Sequence, residues 1–294
     1  HEGVELPEFS AVVLMQDDDH REWIREYNRG YMRIAIEGGL SGYVLESSTW
    51  RGSFGWAGAI GLSEERLDEL NRLSIEDGLR LREEFKNTNL DIVISGNIGP
   101  IGDAYWVEHR PTVDAARHYH ARQVQLFAET DADMVHAMTI PSASECAAIA
   151  LAAKEAGMPC AISFTVETNG KLPSGETMEE TIALVDETTD AWVAYFGINC
   201  AHPEHFDEEL SAGHSWRDRV RSIRGNASRC SHEELDHAEE LDEGNPEEYG
   251  TQLADLHARF PNLNILGGCC GTDHRHVGAI VKSMARDCNK MGNS

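Results

Sequence analysis

Three cysteines at the ends of two apolar segments have the residue type and the spacing of a metal site. Cys200 ends the apolar run 193–200, and Cys269 and Cys270 end the glycine-rich run 264–270. Adjacent side chains point to opposite faces of an ideal strand, but a strand end flanked by glycine can kink so that both thiols face one point. Three thiolates around one Zn²⁺ leave a fourth position open, which is typical of catalytic zinc, whereas structural zinc has four protein ligands. The alternative interpretation is that these cysteines pack in the core, as buried cysteines commonly do.

The predicted ligand set favours chemistry on a thiol. A free thiol has a pKa of about 8.5, and a thiol bound to a metal ion loses its proton at neutral pH. Electron-rich sulfur ligands keep zinc a weak Lewis acid, so the bound thiolate stays nucleophilic. Such a centre suits alkyl transfer to sulfur better than hydrolysis, for which histidine and carboxylate ligands are usual. We therefore predict in-line displacement of a methyl group from a sulfonium or quaternary ammonium donor by a small thiol.

The two cysteine motifs resemble those of a known family. Gly-Ile-Asn-Cys at 197–200 and Gly-Gly-Cys-Cys-Gly-Thr at 267–272 are similar to the two zinc motifs of the homocysteine S-methyltransferase family. The segments 97–100, 162–167 and 172–177 add to this resemblance, which covers essentially the whole chain.

The resemblance implies a zinc enzyme and a particular reaction. Its Zn²⁺ would be bound by Cys200, Cys269 and Cys270. Its methyl donor would be S-methylmethionine, betaine or S-adenosylmethionine, its acceptor homocysteine and its product methionine. The sequence does not identify the donor, and it has no glycine-rich motif of the kind that binds S-adenosylmethionine in Rossmann-type folds.

Polar side chains at the ends of other apolar segments are candidates for substrate binding. Glu46, Asn97 and Glu167 each end or follow such a segment. A carboxylate at such a position is costly unless it is paired or used, and a cationic donor needs a carboxylate or an aromatic surface. Trp50 and Trp56 follow Glu46 and could line the same pocket, although packing in the core is the favoured interpretation for each of them.

One residue departs from the pattern of the family that the chain resembles. Many members have a glutamate before Thr-Ile-Pro, which is expected to hold the amino group of homocysteine, whereas this chain has Met138 at that place. The Asp-Gly-Gly segment that contributes to acceptor binding in the family is also absent from these 294 residues. The acceptor is therefore homocysteine or a different small thiol, and the predicted zinc–thiolate chemistry is the same for both.

Histidines near the cysteine motifs offer a second ligand set. His202 and His205 follow Cys200, and His274 and His276 follow the cysteine pair. One of them could support the site from outside the ligand shell, or bind the metal directly in a mixed centre. Because three cysteines already complete an open site, we predict the all-cysteine set.

The net charge of the chain disfavours several classes of partner. With 51 Asp and Glu against 25 Lys and Arg, the net charge is −26. Such a surface repels phosphate backbones and anionic lipids, so nucleic-acid and membrane roles are disfavoured. The acidic residues are densest at 233–248, where we expect a solvated helix surface. Adaptation to high salt would explain the excess, because salt screens self-repulsion, and an ordinary acidic cytosolic protein is the alternative.

Cysteine usage predicts the compartment. Seven cysteines in 294 residues, with no signal peptide or long apolar span, fit a reducing cytoplasm. Cys146, Cys160, Cys230 and Cys288 have no ligand-like arrangement, so we expect them to pack in the core or to lie on the surface. The oligomeric state is left open.

Alternating apolar and amphipathic segments predict the fold. Candidate strands lie at 42–46, 91–96, 134–139, 160–166, 193–200, 222–226 and 264–269, and candidate helices at 21–37, 63–85, 112–129, 144–156, 178–187, 246–260 and 273–291. Near-continuous apolar strands indicate a parallel sheet covered on both faces. We predict an α/β protein that is a single (β/α)8 TIM-type barrel over residues 1–294 and lacks its first strand through N-terminal truncation. Barrel enzymes build their sites at the C-terminal ends of strands, where the candidate residues lie.

The leading functional prediction is a zinc-dependent S-methyltransferase that acts on homocysteine. The same chemistry on a different small thiol is a close alternative. A non-catalytic zinc-binding or thiol-sensing protein is an alternative from another class. A zinc hydrolase is disfavoured by the all-sulfur ligand set.

Overall fold

The computed structural model describes residues 4, 6–107, 110–212, 215–238 and 240–291. Strands and helices alternate along these residues. The strands are β1 (Gly42–Glu46), β2 (Asp91–Ile98), β3 (Met134–Ile140), β4 (Cys160–Phe164), β5 (Tyr195–Asn199), β6 (Val220–Gly225) and β7 (Ile265–Gly268). The helices are α1 (Asp18–Glu37), α2 (Glu64–Glu84), α3 (Val113–Ala128), α4 (Ala143–Glu155), α5 (Met178–Thr189), α6 (Asp207–Ser211), α7 (His232–Asp236), α8 (Pro246–Arg259) and α9 (His274–Met291).

The strands form a parallel sheet in which each strand pairs with the next one along the chain, from β1 to β7. The sheet is curled, as a contact between distant strands shows. Arg224 on β6 reaches across the interior and donates from Nη2 to Glu46 Oε1 on β1 at 2.9 Å. In the described part of the chain β1 and β7 are the edge strands. The architecture is an α/β fold with seven parallel strands in a curled half-barrel, consistent with a TIM-type barrel that lacks a strand. Residues 6–40 contribute 3₁₀ helices and α1, so the predicted count of seven strands is confirmed for the described residues.

The central strands are the most buried part of the sheet. All residues of β3, β4 and β5 are buried, and Val135, Ile162 and Phe196 have no exposed surface. Burial of one such side chain contributes about 1.5–3 kcal/mol to folding. This burial on both faces explains why the strands read as continuous apolar runs.

Several helices begin where the sequence supplies a capping side chain. Ser63, Thr112, Ser142 and Thr177 each accept a hydrogen bond from the backbone N–H three residues further on. Such a cap contributes about 1 kcal/mol and fixes the residue at which the helix starts. The seven predicted helices therefore agree closely with α1 to α5, α8 and α9, whereas the short helices α6 and α7 were not predicted.

The acidic segment 233–248 differs from the prediction of a helix surface. The helix α7 ends at Asp236 and α8 begins only at Pro246, with non-helical chain in the described residues between them. Proline disfavours helical backbone in the residue before it, and Asn245 caps α8 by accepting from the N–H groups of Glu247 and Glu248. The acidic run is therefore mostly loop.

The cysteines outside the two motifs behave as predicted where they are described. Cys146 and Cys160 are buried in the core, and burial raises the pKa of the Cys160 thiol to about 12. Cys230 is exposed. The side chain of Cys288 lies outside the described part of the structure. Among the described helices, none has the length and apolar character needed to cross a membrane.

Candidate metal centre and substrate site

The C-terminal ends of β5 and β7 bring three cysteine sulfurs together. The Sγ atoms of Cys200, Cys269 and Cys270 all lie within 4.8 Å of one another, and those of Cys200 and Cys270 are 3.7 Å apart. Cys200 and Cys269 are joined as a disulfide, so this pair must be reduced before it can bind a metal ion. Cys200 is buried whereas Cys270 is exposed, so the cluster opens to solvent on one side.

The backbone of Cys200 is held in an unusual conformation. Its φ is +54°, in the left-handed region that non-glycine residues rarely adopt. Its carbonyl oxygen accepts hydrogen bonds from Asn226 Nδ2 at 3.1 Å, His232 Nε2 at 2.7 Å and Thr165 Oγ1 at 3.4 Å. These contacts over-determine the conformation, which is how strained residues persist at functional sites.

Asn199 links the ends of three strands. Its Oδ1 accepts from the N–H of Thr139 at 2.8 Å, and its Nδ2 donates to Thr139 Oγ1 at 2.6 Å and lies 4.0 Å from Cys269 Sγ. Thr139 also has a positive φ, of +60°. The backbone is therefore irregular near the end of β3, where the register with β4 shifts between Ala137 and Ile140, and directly after β5, and one asparagine contacts both places.

The cysteine pair after β7 is fixed through its backbone. The N–H of Cys269 donates to Gly225 O at 2.8 Å, and the N–H of Cys270 donates to Asn226 Oδ1 at 3.1 Å. Gly271 has a φ of +75°, and a Cβ on it would collide with the carbonyl oxygen of Asp242. The glycine after the pair is therefore required for the kink that turns both thiols to one point.

The residues present fit a zinc ion. Three sulfur ligands with one open side match the donor set and ligand count of an open zinc site. Cys270 is exposed as a whole residue, but the surrounding protein desolvates its thiol and so raises the pKa of that group. Metal binding must therefore displace thiol protons, as at other cysteine metal sites.

Glu167 is connected to Cys200 by a histidine that contacts both residues and that the sequence did not identify. His232, at the start of α7, places Nδ1 3.2 Å from Glu167 Oε1 while its Nε2 contacts the Cys200 carbonyl. The ring of Tyr105 packs on His232 with a centroid separation of 4.0 Å. One third of the Glu167 side chain is exposed, so its carboxylate remains accessible from the mouth of the curled sheet.

Glu46 lies inside the curled sheet and is already paired. Its Oε1 contacts His136 Nδ1 at 2.8 Å and Arg224 Nη2 at 2.9 Å, and His136 Nε2 contacts Ser163 Oγ at 2.7 Å. Burial alone would raise the pKa of Glu46, but His136 and Arg224 outweigh it and hold the pKa below the ordinary value. The carboxylate therefore belongs to a buried network that joins β1, β3, β4 and β6.

Asn97 lies near the end of β2, in register with His136. Its N–H donates to Ser47 Oγ at 2.9 Å and its carbonyl accepts from Thr49 Oγ1 at 2.7 Å. Its side-chain Oδ1 is buried and has no hydrogen-bond partner among the described residues. An acceptor left in this state is a candidate for contact with a substrate.

Comparison with known proteins decides the family. The family model for homocysteine S-methyltransferase matches residues 4–284. The chain belongs to the homocysteine S-methyltransferase family. Homocysteine S-methyltransferase 1 from Arabidopsis thaliana is 22% identical over 314 residues, which cover 95% of this chain and 87% of that protein. Homocysteine S-methyltransferase from Escherichia coli is 24% identical over 291 residues, which cover 92% and 86%.

The fold agrees with a solved structure of similar sequence length. The metallated form of the Escherichia coli homocysteine methyltransferase MmuM matches with a TM-score of 0.72 at 22% identity, covering 97% of this chain and 91% of that chain. This similarity establishes the fold that carries the three cysteines to one rim of the sheet.

The four histidines that follow the cysteine motifs are engaged elsewhere. His202 is buried, which lowers its pKa to about 4, and its Nδ1 accepts from the N–H of Glu204. His205 contacts the carbonyl of Arg229, His274 stacks on Tyr31 and His276 contacts Asp273 and the carbonyl of Glu243. The histidine that contacts a motif cysteine is His232 instead, which is 32 residues from Cys200 in sequence. Only the long-range fold brings those two together.

Met138 and the two tryptophans meet at the same rim of the family fold. Met138 is buried, and its carbonyl accepts from Trp50 Nε1 at 2.9 Å. Trp56 Nε1 donates to the carbonyl of Pro100 at 3.4 Å. The rings of both tryptophans face the guanidinium of Arg51, another residue that sequence reasoning did not single out.

Proposed function

We propose that this protein is a zinc-dependent S-methyltransferase that moves a methyl group from a sulfonium or ammonium donor to homocysteine, forming methionine. The convergence of three cysteine sulfurs at one open-sided point carries the proposal. Membership of the homocysteine S-methyltransferase family supports a methyltransferase activity, and its relatives are named for transfer to homocysteine.

We propose Cys200, Cys269 and Cys270 as the ligands of the zinc ion. When bound, Zn²⁺ would lower the pKa of the acceptor thiol and so supply a thiolate at neutral pH. The sulfur of the acceptor attacks the methyl carbon of the donor in line with the leaving group. The donor leaves as a neutral thioether or amine, and the thiol proton passes to solvent. Asn226 and His232 hold the cysteine backbones during this transfer, and Asn199 Nδ2 lies beside Cys269 Sγ.

We propose Glu167, Asn97 and Glu46 as substrate-binding residues. They differ in how accessible they are and in whether they already have hydrogen-bond partners. Glu167 is the accessible carboxylate next to the cysteines, so it is the best placed to contact the ammonium group of homocysteine. The side-chain Oδ1 of Asn97 is a buried acceptor with no hydrogen-bond partner in the part of the chain that the structure describes. Glu46 is paired with Arg224 and His136 through Oε1, but its Oε2 is buried with no hydrogen-bond partner among the described residues, so we propose this oxygen for contact with a substrate.

The cysteines and the net charge also suggest where the protein works and which partners it binds. We propose one barrel domain over residues 1–294 that works in the cytoplasm, where reduced thiols persist. Its partners would be a small thiol and a cationic methyl donor, namely S-methylmethionine, betaine or S-adenosylmethionine. The net charge of −26 disfavours nucleic acid and anionic membranes as partners.

The test is a transfer assay on reduced, zinc-loaded protein. Each of the three donors is combined with homocysteine, and methionine is quantified by mass spectrometry. We expect methionine with at least one donor, loss of activity in Cys200→Ser, and full activity in the control Cys230→Ser, which changes an exposed cysteine outside the site. Stoichiometric zinc without methylation of any thiol, from any donor, would instead support a zinc-binding or thiol-sensing protein.

A further inference from the structure

Arg51 is a buried cation held between two aromatic rings. Only 6% of the residue is exposed. The Cζ atom lies 4.3 Å from the ring centroid of Trp50 and 3.7 Å from that of Trp56. Such stacking fixes the plane and the position of the guanidinium.

No carboxylate among the described residues forms an ion pair with Arg51, although Asp103 and Glu8 lie close enough to favour its charged form. Its Nη1 donates to the carbonyl oxygen of Gly102 at 2.7 Å, and its Nε is buried with no partner in the described part of the chain. Asp103 is nearby, but its Oδ1 accepts from the N–H groups of Tyr105 and Trp106. Burying an unpaired charge is expensive, so an arginine in this state is usually completed by an anion.

Another arginine of the same chain shows the paired arrangement. Arg21 is buried to a similar extent and donates from Nε and Nη2 to the two carboxylate oxygens of Asp77, each at 2.8 Å. Hydrogen bonding to Asp77 raises the pKa of Arg21, whereas burial lowers the pKa of Arg51. The Nε and Nη2 edge that Arg21 uses for Asp77 is the edge for which Arg51 has no carboxylate among the described residues.

The loop that contacts Arg51 also packs on the histidine that contacts Cys200. The residues 99–107 follow β2, and within them Gly102 contacts Arg51 while Tyr105 packs on His232, which contacts Cys200. On the other side, Trp50 contacts the carbonyl of Met138 at the end of β3. The loop therefore connects a buried cation with the thiol chemistry of the rim.

We propose that Arg51 is the carboxylate-binding residue of the acceptor pocket, so that the acceptors are thiols that carry a carboxylate. The guanidinium donates to the carboxylate from Nη2, since Nη1 already donates to the Gly102 carbonyl and Nε is buried. Homocysteine belongs to this class, and so does 4-mercaptobutyrate, which lacks the amino group. Met138 offers no charge to an ammonium group, so the acid end of the acceptor is the end that is recognised most strongly. This inference rests on the proposed thiol methylation.

The test compares three thiols that differ only in their charged groups. Homocysteine has both groups, 4-mercaptobutyrate lacks the amine and 3-aminopropanethiol lacks the carboxylate. In zinc-loaded Arg51→Gln we expect KM to rise roughly 10- to 100-fold for the first two thiols and to stay unchanged for 3-aminopropanethiol. Arg51→Lys keeps the charge but loses the planar fork, so its KM values should lie between those of the wild type and Arg51→Gln.

A matched control separates recognition from packing. Arg217 also stacks on an aromatic ring, 4.6 Å from the centroid of Phe260, and also donates to a carbonyl, that of Leu210 at 2.9 Å. It precedes β6 and so lies at the opposite end of that strand from the cysteine rim. Arg217→Gln should leave the three KM values unchanged. Without thiol, Arg51→Gln should melt at the same temperature as the wild type or higher, since it removes a buried charge that forms no ion pair with the described residues.

If no methyl transfer is observed, the affinity of the protein for the thiols can still test the role of Arg51. Isothermal titration calorimetry of the zinc-loaded wild type should show tighter binding of 4-mercaptobutyrate than of 3-aminopropanethiol, and this preference should disappear in Arg51→Gln. Equal affinity of the wild type for these two thiols overturns the role of Arg51. That result leaves the proposed function standing if methyl transfer is observed. Failure of methyl transfer with the binding preference intact would count against the function and not against Arg51.

Discussion

At the scale of single residues, the site depends on the groups that hold the cysteine backbones. The carbonyl of Cys200 accepts from three side chains, while its φ is +54°. A non-glycine residue in this region costs about 1–3 kcal/mol, so its neighbours must supply that energy. Asn226 is central among them, because it donates to Cys200 O and accepts from the N–H of Cys270.

Replacement of Asn226 should weaken zinc binding without removing a ligand. In Asn226→Ala we expect the zinc affinity to fall about 10- to 100-fold, as for other residues that orient metal ligands. Competition with a chelator of known affinity measures this change. The control Asn262→Ala removes a surface amide that contacts Asp218 and should bind zinc like the wild type. An unchanged affinity in Asn226→Ala would show that the cysteines are positioned without it.

Glu167 should contribute to acceptor recognition and not to metal binding. Because its accessible carboxylate lies beside Cys200, Glu167→Gln should raise KM for homocysteine and leave the zinc content unchanged. Met138→Glu should shift preference towards amino-acid thiols over uncharged ones. Steady-state kinetics with homocysteine and a simple alkyl thiol provide the comparison. If neither variant changes the ratio of kcat/KM for the two thiols, the ammonium group is not recognised by these residues.

At the scale of elements, the sequence predicts the strands well and the connections poorly. The seven strands could be located because each is a buried apolar run, and the C-terminal ends of parallel strands meet at one rim. The helix α7 was missed because its five residues are too few to show a period. His232 lies at the start of that helix, and its contact with Cys200 depends on the path of the chain after β6.

Arg51 shows a second limit of prediction from sequence. From the sequence, an arginine that follows the candidate strand 42–46 is expected to be an ordinary surface residue, since arginine is mostly exposed in proteins. Its burial depends on Trp50, Trp56 and the loop 99–107, which come together only in the fold. The cysteine cluster could be recognised because its members carry their chemistry in their residue type.

The packing of α1 on α2 should depend on one buried ion-pair group. Asp77 on α2 accepts from Arg21 Nε and Nη2 and from Arg25 Nη1 on α1. Asp77→Asn removes the buried charge that Arg21, which is buried, and Arg25, which is half-buried, share, and this should lower the free energy of unfolding by about 3–5 kcal/mol. Urea denaturation measures this loss. The control Glu69→Gln breaks an exposed pair with Arg66 and should change stability by less than about 1 kcal/mol. Similar losses in both variants would contradict the role of burial.

At the scale of the whole molecule, the net charge should make stability depend on salt. With a charge of −26 the folded chain repels itself, and added ions screen this repulsion. Exposed ion pairs are weakened by salt too, but each contributes little. We expect the urea midpoint to rise between about 0.1 M and about 2 M KCl, where the Debye length falls from roughly 10 Å to a few ångström. A falling midpoint would mean that favourable pairs dominate.

The zinc content of cysteine variants tests the central claim most directly. Reduced wild-type protein and the variants Cys200→Ala, Cys269→Ala and Cys270→Ala are loaded with zinc, desalted and analysed by mass spectrometry for metal per chain. Because the three sulfurs lie within 4.8 Å of one another, we predict one zinc ion per chain in the wild type and loss of retained zinc in each variant. The control Cys230→Ala, at an exposed cysteine outside the cluster, should retain one ion. Full zinc occupancy in Cys269→Ala would contradict the proposed metal centre.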